Sequence, residues 1–168
     1  MEKIIKMLGE TDIYEMLDAK GIAYECIQHK AVFTVEEAEA LSLPPHGAFV
    51  KNLFLCDDKK RTYYVICMPF ELHTNLKLLP ERIQSRRLRF ANADLLPDML
   101  GVRAGSVTPF GVLNDETRCI ELIFDASLEH KVIAVHPLVN TATVYLSADD
   151  ICALALEHGT PVRFVDLS

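Results

Sequence analysis

Three short stretches carry residue types that do not match their surroundings, and a fourth concentrates charge. From Ala48 to Cys56 the chain alternates, placing Phe49, Lys51, Leu53 and Leu55 on one face of a strand and Val50, Asn52, Phe54 and Cys56 on the other. A lysine in an apolar row is rarely buried without a partner. Two readings fit: an edge lysine whose stem packs while its ammonium reaches water, or a fixed cation for a phosphate or a developing negative charge. Asn52 adds an amide donor and acceptor on the opposite pleat.

Gly105-Ser106-Val107-Thr108-Pro109-Phe110-Gly111 is too apolar and too short for a linker, and its glycines and proline make it a shaped loop. Such a loop is either a tight structural turn or a set of backbone N–H groups able to hold an oxyanion or admit a sugar. It is not a P-loop or a dinucleotide fingerprint, because the glycine, lysine and hydroxyl spacings of both are missing. His136-Pro137-Leu138-Val139-Asn140-Thr141-Ala142-Thr143 sets a histidine and an asparagine between two strands, where a histidine serves as a structural hydrogen-bonding group or as part of a site. The other histidines lack HExxH or paired-cysteine spacing, so no metal site is expected. Residues 77–89 hold Lys77, Arg82, Arg86, Arg87 and Arg89 against one acid, Glu81, which is either a solvated face or a phosphate-contacting patch.

The elements that must position these residues follow from periodicity and punctuation. A helix capped by Thr11 or Asp12 runs to about Lys20, with Gly21 as its stop, and Ile22–Ile27 reads as a strand. Thr34-Val35-Glu36-Glu37 has the pattern of a capping box and starts a helix that ends before Pro44-Pro45. Strands at 48–56 and 62–68 form a hairpin about a polar turn at 57–60. A helix follows Pro80, and another spans Ala93–Leu100 with Asn92 as cap, Gly101 as stop and a kink at Pro97. Strands at 119–124, 132–135 and 141–146, a helix from Ser147 to His158 stopped by Gly159, and a strand at 162–165 complete the chain. The expected fold is α/β or α+β, a single domain over 1–168 with a curved mixed sheet of about six to seven strands and surrounding helices.

The chain has 168 residues, 50% of them hydrophobic and 24% charged, which excludes a disordered or low-complexity protein. Its apolar runs are far shorter than a bilayer span, and residues 1–6 do not resemble a secretory signal, so the cytoplasm is the expected compartment. Five cysteines without a CxxC pair argue against a disulfide framework. A net charge of −7 weakens nonspecific attraction to nucleic acid, which leaves any such contact to a local patch.

Taken in order, Lys51-Asn52-Leu53-Phe54-Leu55, the Gly105 to Gly111 loop and the His136 to Thr143 connection resemble the YbaK/prolyl-tRNA synthetase-associated editing family. The similarity is greatest to its free-standing branch, known as PrdX or ProXp-ala, and extends from about Asp12 to the C-terminus. The resemblance implies an α/β domain that hydrolyses the ester of mischarged tRNA(Pro), with alanine as the amino acid removed and no cofactor. By motif position Lys51 matches the family's essential lysine, Gly105 and Pro109 the ends of its G-x-x-x-P loop, and Asn52 and His136 polar positions of its pocket. Ser106, Val107 and Thr108 then line the substrate site together with Pro109. Phe33, Thr34 and Val35 fall where the amino-acid pocket begins, and Asn140 is carried over as a further substrate-binding position.

The resemblance further implies that the terminal adenosine's own 2′-hydroxyl orients or activates the attacking water, with His136 in support. The expected partners are mischarged tRNA(Pro), contacted through Lys77, Arg82, Arg86, Arg87 and Arg89, and prolyl-tRNA synthetase; no membrane or DNA partner is expected. The alternatives are a noncatalytic tRNA- or amino-acid-binding regulatory relative, a Cys-tRNA(Pro) deacylase, and a thiol-dependent hydrolase using one of the cysteines.

Overall fold

The computed structural model describes residues 7–31, 37, 40–41 and 43–168. Of the expected capping box, Thr34, Val35 and Glu36 lie outside them, as does the pocket residue Phe33. The first helix, α1 (Glu10–Ala19), buries Ile13 and Leu17. Its N-cap is Gly9 rather than Thr11 or Asp12, and Asp12 instead reaches back to accept the Gly9 N–H at 2.8 Å. Asp12 therefore plays the acidic half of a capping box one turn into the helix, which explains why a capping signal appears at that position.

Strands β1 (Glu25–Gln28), β2 (Ala48–Asp57) and β3 (Tyr63–Pro69) come next, then a one-turn helix α2 (Leu79–Ile83) and strand β4 (Leu88–Phe90). Asn92 caps a 3-10 turn at Ala93–Leu95, and Pro97 opens the helix α3 (Leu96–Leu100) that continues from it. The expected kink is thus a change from 3-10 to α winding, because proline suits a first helical turn and has no amide to offer further in. A 3-10 segment at Pro109–Asn114 leads to β5 (Ile120–Asp125), β6 (Val132–Val135), β7 (Ala142–Ser147), α4 (Ala148–His158) and β8 (Val162–Val165).

The strands form one mixed sheet in the order β1-β7-β6-β2-β3-β5-β8, with β4 paired to β2. It has eight strands, one more than expected, because three-residue β4 is too short to show a period of two. One face, carrying Phe54, Val65, Leu122 and Phe124, packs under α1, α3, α4 and the 3-10 segment. The other carries Leu55, Ile66, Met68 and Ile123 and is covered by a smaller layer that includes Leu79, Ile83 and Leu167. Asp125 fastens that layer by accepting the Leu167 N–H at 2.9 Å.

β2 supplies both halves of the sheet. Its edge opposite β3 pairs in parallel with β6 at Ala48 and Phe49 and antiparallel with β4 at Leu55 to Asp57, and Ala91 donates to the Phe54 carbonyl at 3.0 Å. Among the described residues, that edge has no register pair between Phe49 and Leu55. The result is a notch in the middle of the sheet, and Lys51 and Asn52 occupy it.

Candidate functional site

The alternation along β2 places the two notch residues on opposite faces. Lys51 pairs across β3 with Met68 and shares a face with Leu53 and Leu55, whereas Asn52 pairs with Cys67 and shares a face with Phe54. The Lys51 ammonium is half-buried and donates to the Leu72 carbonyl at 2.6 Å. Among the described residues it has no carboxylate partner. An ammonium carries three donors, so two remain after this bond. The stem is thereby held in one direction while most of the donor capacity stays unspent.

Asn52 is the complementary anomaly, because its Oδ1 is buried and accepts no hydrogen bond from the described residues. Buried acceptors without partners are rare, and each is costly unless it serves a ligand.

The parallel β2–β6 register ends at Phe49 and Ala134, and His136 follows directly after β6 as Lys51 follows that pair on β2. The His136 Nδ1 donates to the Ala142 carbonyl at 3.0 Å, which fixes the proton on Nδ1 and leaves Nε2 as an acceptor. Burial holds its pKa below the ordinary imidazole value, and the neighbouring His29 pushes in the same direction against the Ala142 bond. The ring is therefore neutral near pH 7. The His29 ring lies 6.4 Å from it, with Nδ1 against the Lys30 carbonyl at 2.7 Å and Nε2 against the Thr143 hydroxyl at 2.9 Å. Sequence reasoning passed over His29 as anything but a failed metal ligand. The only available signal was its position at the end of β1, since β1 pairs with β7 just after the His136 connection. Asn140 is half-buried in the same connection.

The 105–109 loop is held by local hydrogen bonds and by packing at its C-terminal end. Gly105 takes φ +88°, Ser106 donates its N–H to the Arg103 carbonyl at 3.0 Å, and the Thr108 hydroxyl caps the following segment by accepting from Phe110 N–H at 3.4 Å. Thr108 and Pro109 are buried, Val107 packs against the larger core, and Gly105 is exposed. That core lies on the Asn52 face of β2, so the loop and the Lys51 side chain approach the sheet from opposite sides.

The basic stretch divides. Lys77, Arg86 and Arg87 line one hollow of about 570 Å³ with Asp58 and Pro80. Arg86 donates to both Asp58 oxygens, at 2.6 and 3.2 Å, and holds that carboxyl below its usual range. Arg82 and Arg89 do not line the hollow. Arg82 lies near Asp166, whose carboxyl is lowered first by Ser168 and to a lesser degree by this arginine. Arg89 pairs across from Cys56, on the Tyr63 side of the sheet.

Residues 29–154 match the model of the aminoacyl-tRNA editing domain. The chain belongs to that family. It is 40% identical over 152 residues to the prolyl-tRNA editing protein ProX of Acetoanaerobium sticklandii, covering 90% of this chain and 93% of that protein. It is 35% identical over 160 residues to prolyl-tRNA synthetase associated domain-containing protein 1 of Danio rerio, covering 90% and 84%. A solved structure described as a candidate trans-editing enzyme for prolyl tRNA synthetase superposes with a TM-score of 0.67 at 18% identity, over 95% of this chain and 97% of that one, a likeness in fold. Family membership makes the chain an aminoacyl-tRNA deacylase, the class expected from its three motifs.

Proposed function

We propose that this editing domain acts in trans on mischarged tRNA(Pro), hydrolysing the ester that joins alanine to the terminal adenosine. The observation that carries the reading is the β2 notch, where a lysine with unspent donors adjoins an asparagine whose buried acceptor has no partner among the described residues, next to the strand that leads into a neutral histidine. The names of the curated relatives supply the tRNA.

The ester is already activated, so the site needs only to place a water, stabilise the tetrahedral oxyanion and exclude the larger cognate amino acid. Water adds to the carbonyl carbon, the bond to the ribose oxygen breaks, and the products are free alanine and tRNA. From one side of the open edge of β2, Lys51 supplies positive charge to the phosphate or the developing charge, and from the other the backbone of Gly105 to Pro109, with Ser106, Val107 and Thr108, shapes the ribose and oxyanion site. Asn52 offers its acceptor to a donor on the substrate, for which the α-amino group is suited. His136, neutral and with Nε2 open, accepts a hydrogen bond from the ribose hydroxyl or the water. Phe33, Thr34, Val35 and Asn140 bound the amino-acid pocket, and Lys77 and Arg87 face the tRNA beside the Arg86–Asp58 pair, with Arg82 and Arg89 as flanking contacts off the hollow. Prolyl-tRNA synthetase, which produces the mischarged species, is the natural further partner.

Volume separates alanine from proline, because attractive contacts with a single methylene provide only about 1–3 kcal/mol of discrimination whereas a steric wall provides more. The test is a deacylation panel of Ala-, Cys- and Pro-tRNA(Pro). Release of alanine ahead of cysteine, with proline retained, is expected; preferential release of cysteine overturns the choice of amino acid, and inactivity on all three overturns the substrate.

A further inference from the structure

The hairpin turn between β2 and β3 adds charge to the 77–89 stretch that the sequence keeps apart from it. Asp57 pins that turn by accepting the Arg61 N–H on its side chain and the Lys60 N–H on its carbonyl. The Asp58–Arg86 ion pair and the pairing of β4 with the end of β2 set Lys59, Lys60 and Arg61 beside the hollow. Segments 57–61 and 77–89 together carry eight of the 17 basic side chains against three acids, while the rest of the chain carries nine basic and 21 acidic residues. Such polarisation presents one end of an acidic protein to a polyanion and turns the other away.

Phe90 lies between this end and the notch. It pairs with Leu55, so it shares a face of the sheet with Leu55 and Lys51, yet it is 63% exposed. Along β2, Leu55 stands about 13 Å from Lys51 and Asp58 about 23 Å from it, at roughly 3.3 Å per residue. Cations at the turn, an open aromatic ring on β4 and a cation in the notch therefore follow one another along the β4 edge of β2, beside the layer that covers Leu55. An aromatic ring interleaved with basic side chains is the chemistry that holds single-stranded nucleic acid, where phosphates meet cations and bases stack on rings.

We infer that this line is a track for the single-stranded 3′ end of the tRNA. Lys59, Lys60, Arg61, Lys77 and Arg87 hold phosphates of the helical stem, Phe90 stacks one of the unpaired bases that follow, and the terminal adenosine reaches Lys51. Arg86 is spent on Asp58 and orients the hollow rather than adding net charge. This inference rests on the deacylase reading for the identity of the RNA.

The test measures binding, independently of turnover, with tRNA(Pro) transcripts that carry or lack the terminal CCA. Phe90→Ala is expected to weaken binding of the full transcript about tenfold and leave the truncated one unchanged, and Phe90→Tyr is expected to restore it. Lys59→Ala/Lys60→Ala/Arg61→Ala is expected to weaken both transcripts and to flatten the slope of log K against log salt by about one per lost contact. Lys131→Ala, which lies outside both segments, is expected to do neither. Equal effects of Phe90→Ala on the two transcripts, or a triple variant that matches Lys131→Ala, overturn the track. If the wild type binds in this CCA-dependent way but releases no amino acid, the track stands and the deacylase reading falls. If it releases alanine and all the variants match it in binding, the reverse holds.

Discussion

The segment from Leu100 to Asp115 and the notch in β2 are built on opposite terms. In the first, polar groups are spent on structure: Asn114 accepts the Leu8 N–H at 2.7 Å and donates to the carbonyls of Leu8 and Leu100 at 3.3 and 3.0 Å, while Asp115 takes the N–H groups of Thr117 and Ile120. In the second, an ammonium keeps two donors in reserve and a buried amide oxygen has none to accept. Local cost without local compensation is what a site looks like before its ligand arrives. The Asn114 and Asp115 end of the glycine-rich region spends its polar groups on packing, while β2 keeps its own open to a ligand.

Substitutions can break this contrast from either side. The largest effect is expected at Gly101, which takes φ +69° and where an added Cβ would stand 2.4 Å from the Asn114 amide nitrogen. Gly101→Val should cost about 3 kcal/mol or more in a urea or thermal melt. Asn114→Ala strands the Leu8 and Leu100 groups it serves and should cost about 2 kcal/mol. In both variants kcat of the folded fraction should stay near that of the wild type, and a large loss of kcat in stable Asn114→Ala protein would show that Asn114 acts on the site as well as on the fold.

His136 sharpens the comparison through pH. Its pKa is depressed by burial, so the unfolded chain takes up the extra proton first and stability rises with pH across the window. The contribution is full above about pH 6.5 and drains as the pH falls toward the lower folded value. His136→Gln should flatten this acid-side loss of stability and also remove the acid limb of the deacylation profile; a limb that persists assigns it to another group. The smallest effect is expected at Asn52, where Asn52→Leu removes an unpaired buried acceptor. It should leave stability unchanged or raise it by about 1 kcal/mol while lowering kcat/KM about tenfold or more. A variant that loses stability instead would show that Asn52 supports the sheet.

Much of this was legible beforehand because the decisive signals are local. The alternation of β2, the Asn92 and Ser147 caps, and the glycine stops at Gly101 and Gly159 all appear in the structure where residue chemistry places them. The α1 start shifted because Asp12 signals a cap from inside the helix, and β4 was missed because three residues show no period. Nonlocal pairing was out of reach. Nothing in the order of residues says that β6 and β4 share one edge of β2 and leave a gap between them, or that the 57–61 turn sits beside Arg86. The same blindness hid His29, whose relation to His136 exists only through β7.

The claim on which the rest depends is that the notch performs the hydrolysis, and the direct measurement is single-turnover release of alanine from Ala-tRNA(Pro) by wild type and Lys51→Ala. Lys51 holds one backbone carbonyl and no carboxylate among the described residues, so its loss should leave the melting temperature nearly unchanged while the rate falls by about 100-fold or more, as for removal of a charge-stabilising donor. Equal rates for the two proteins would contradict the account.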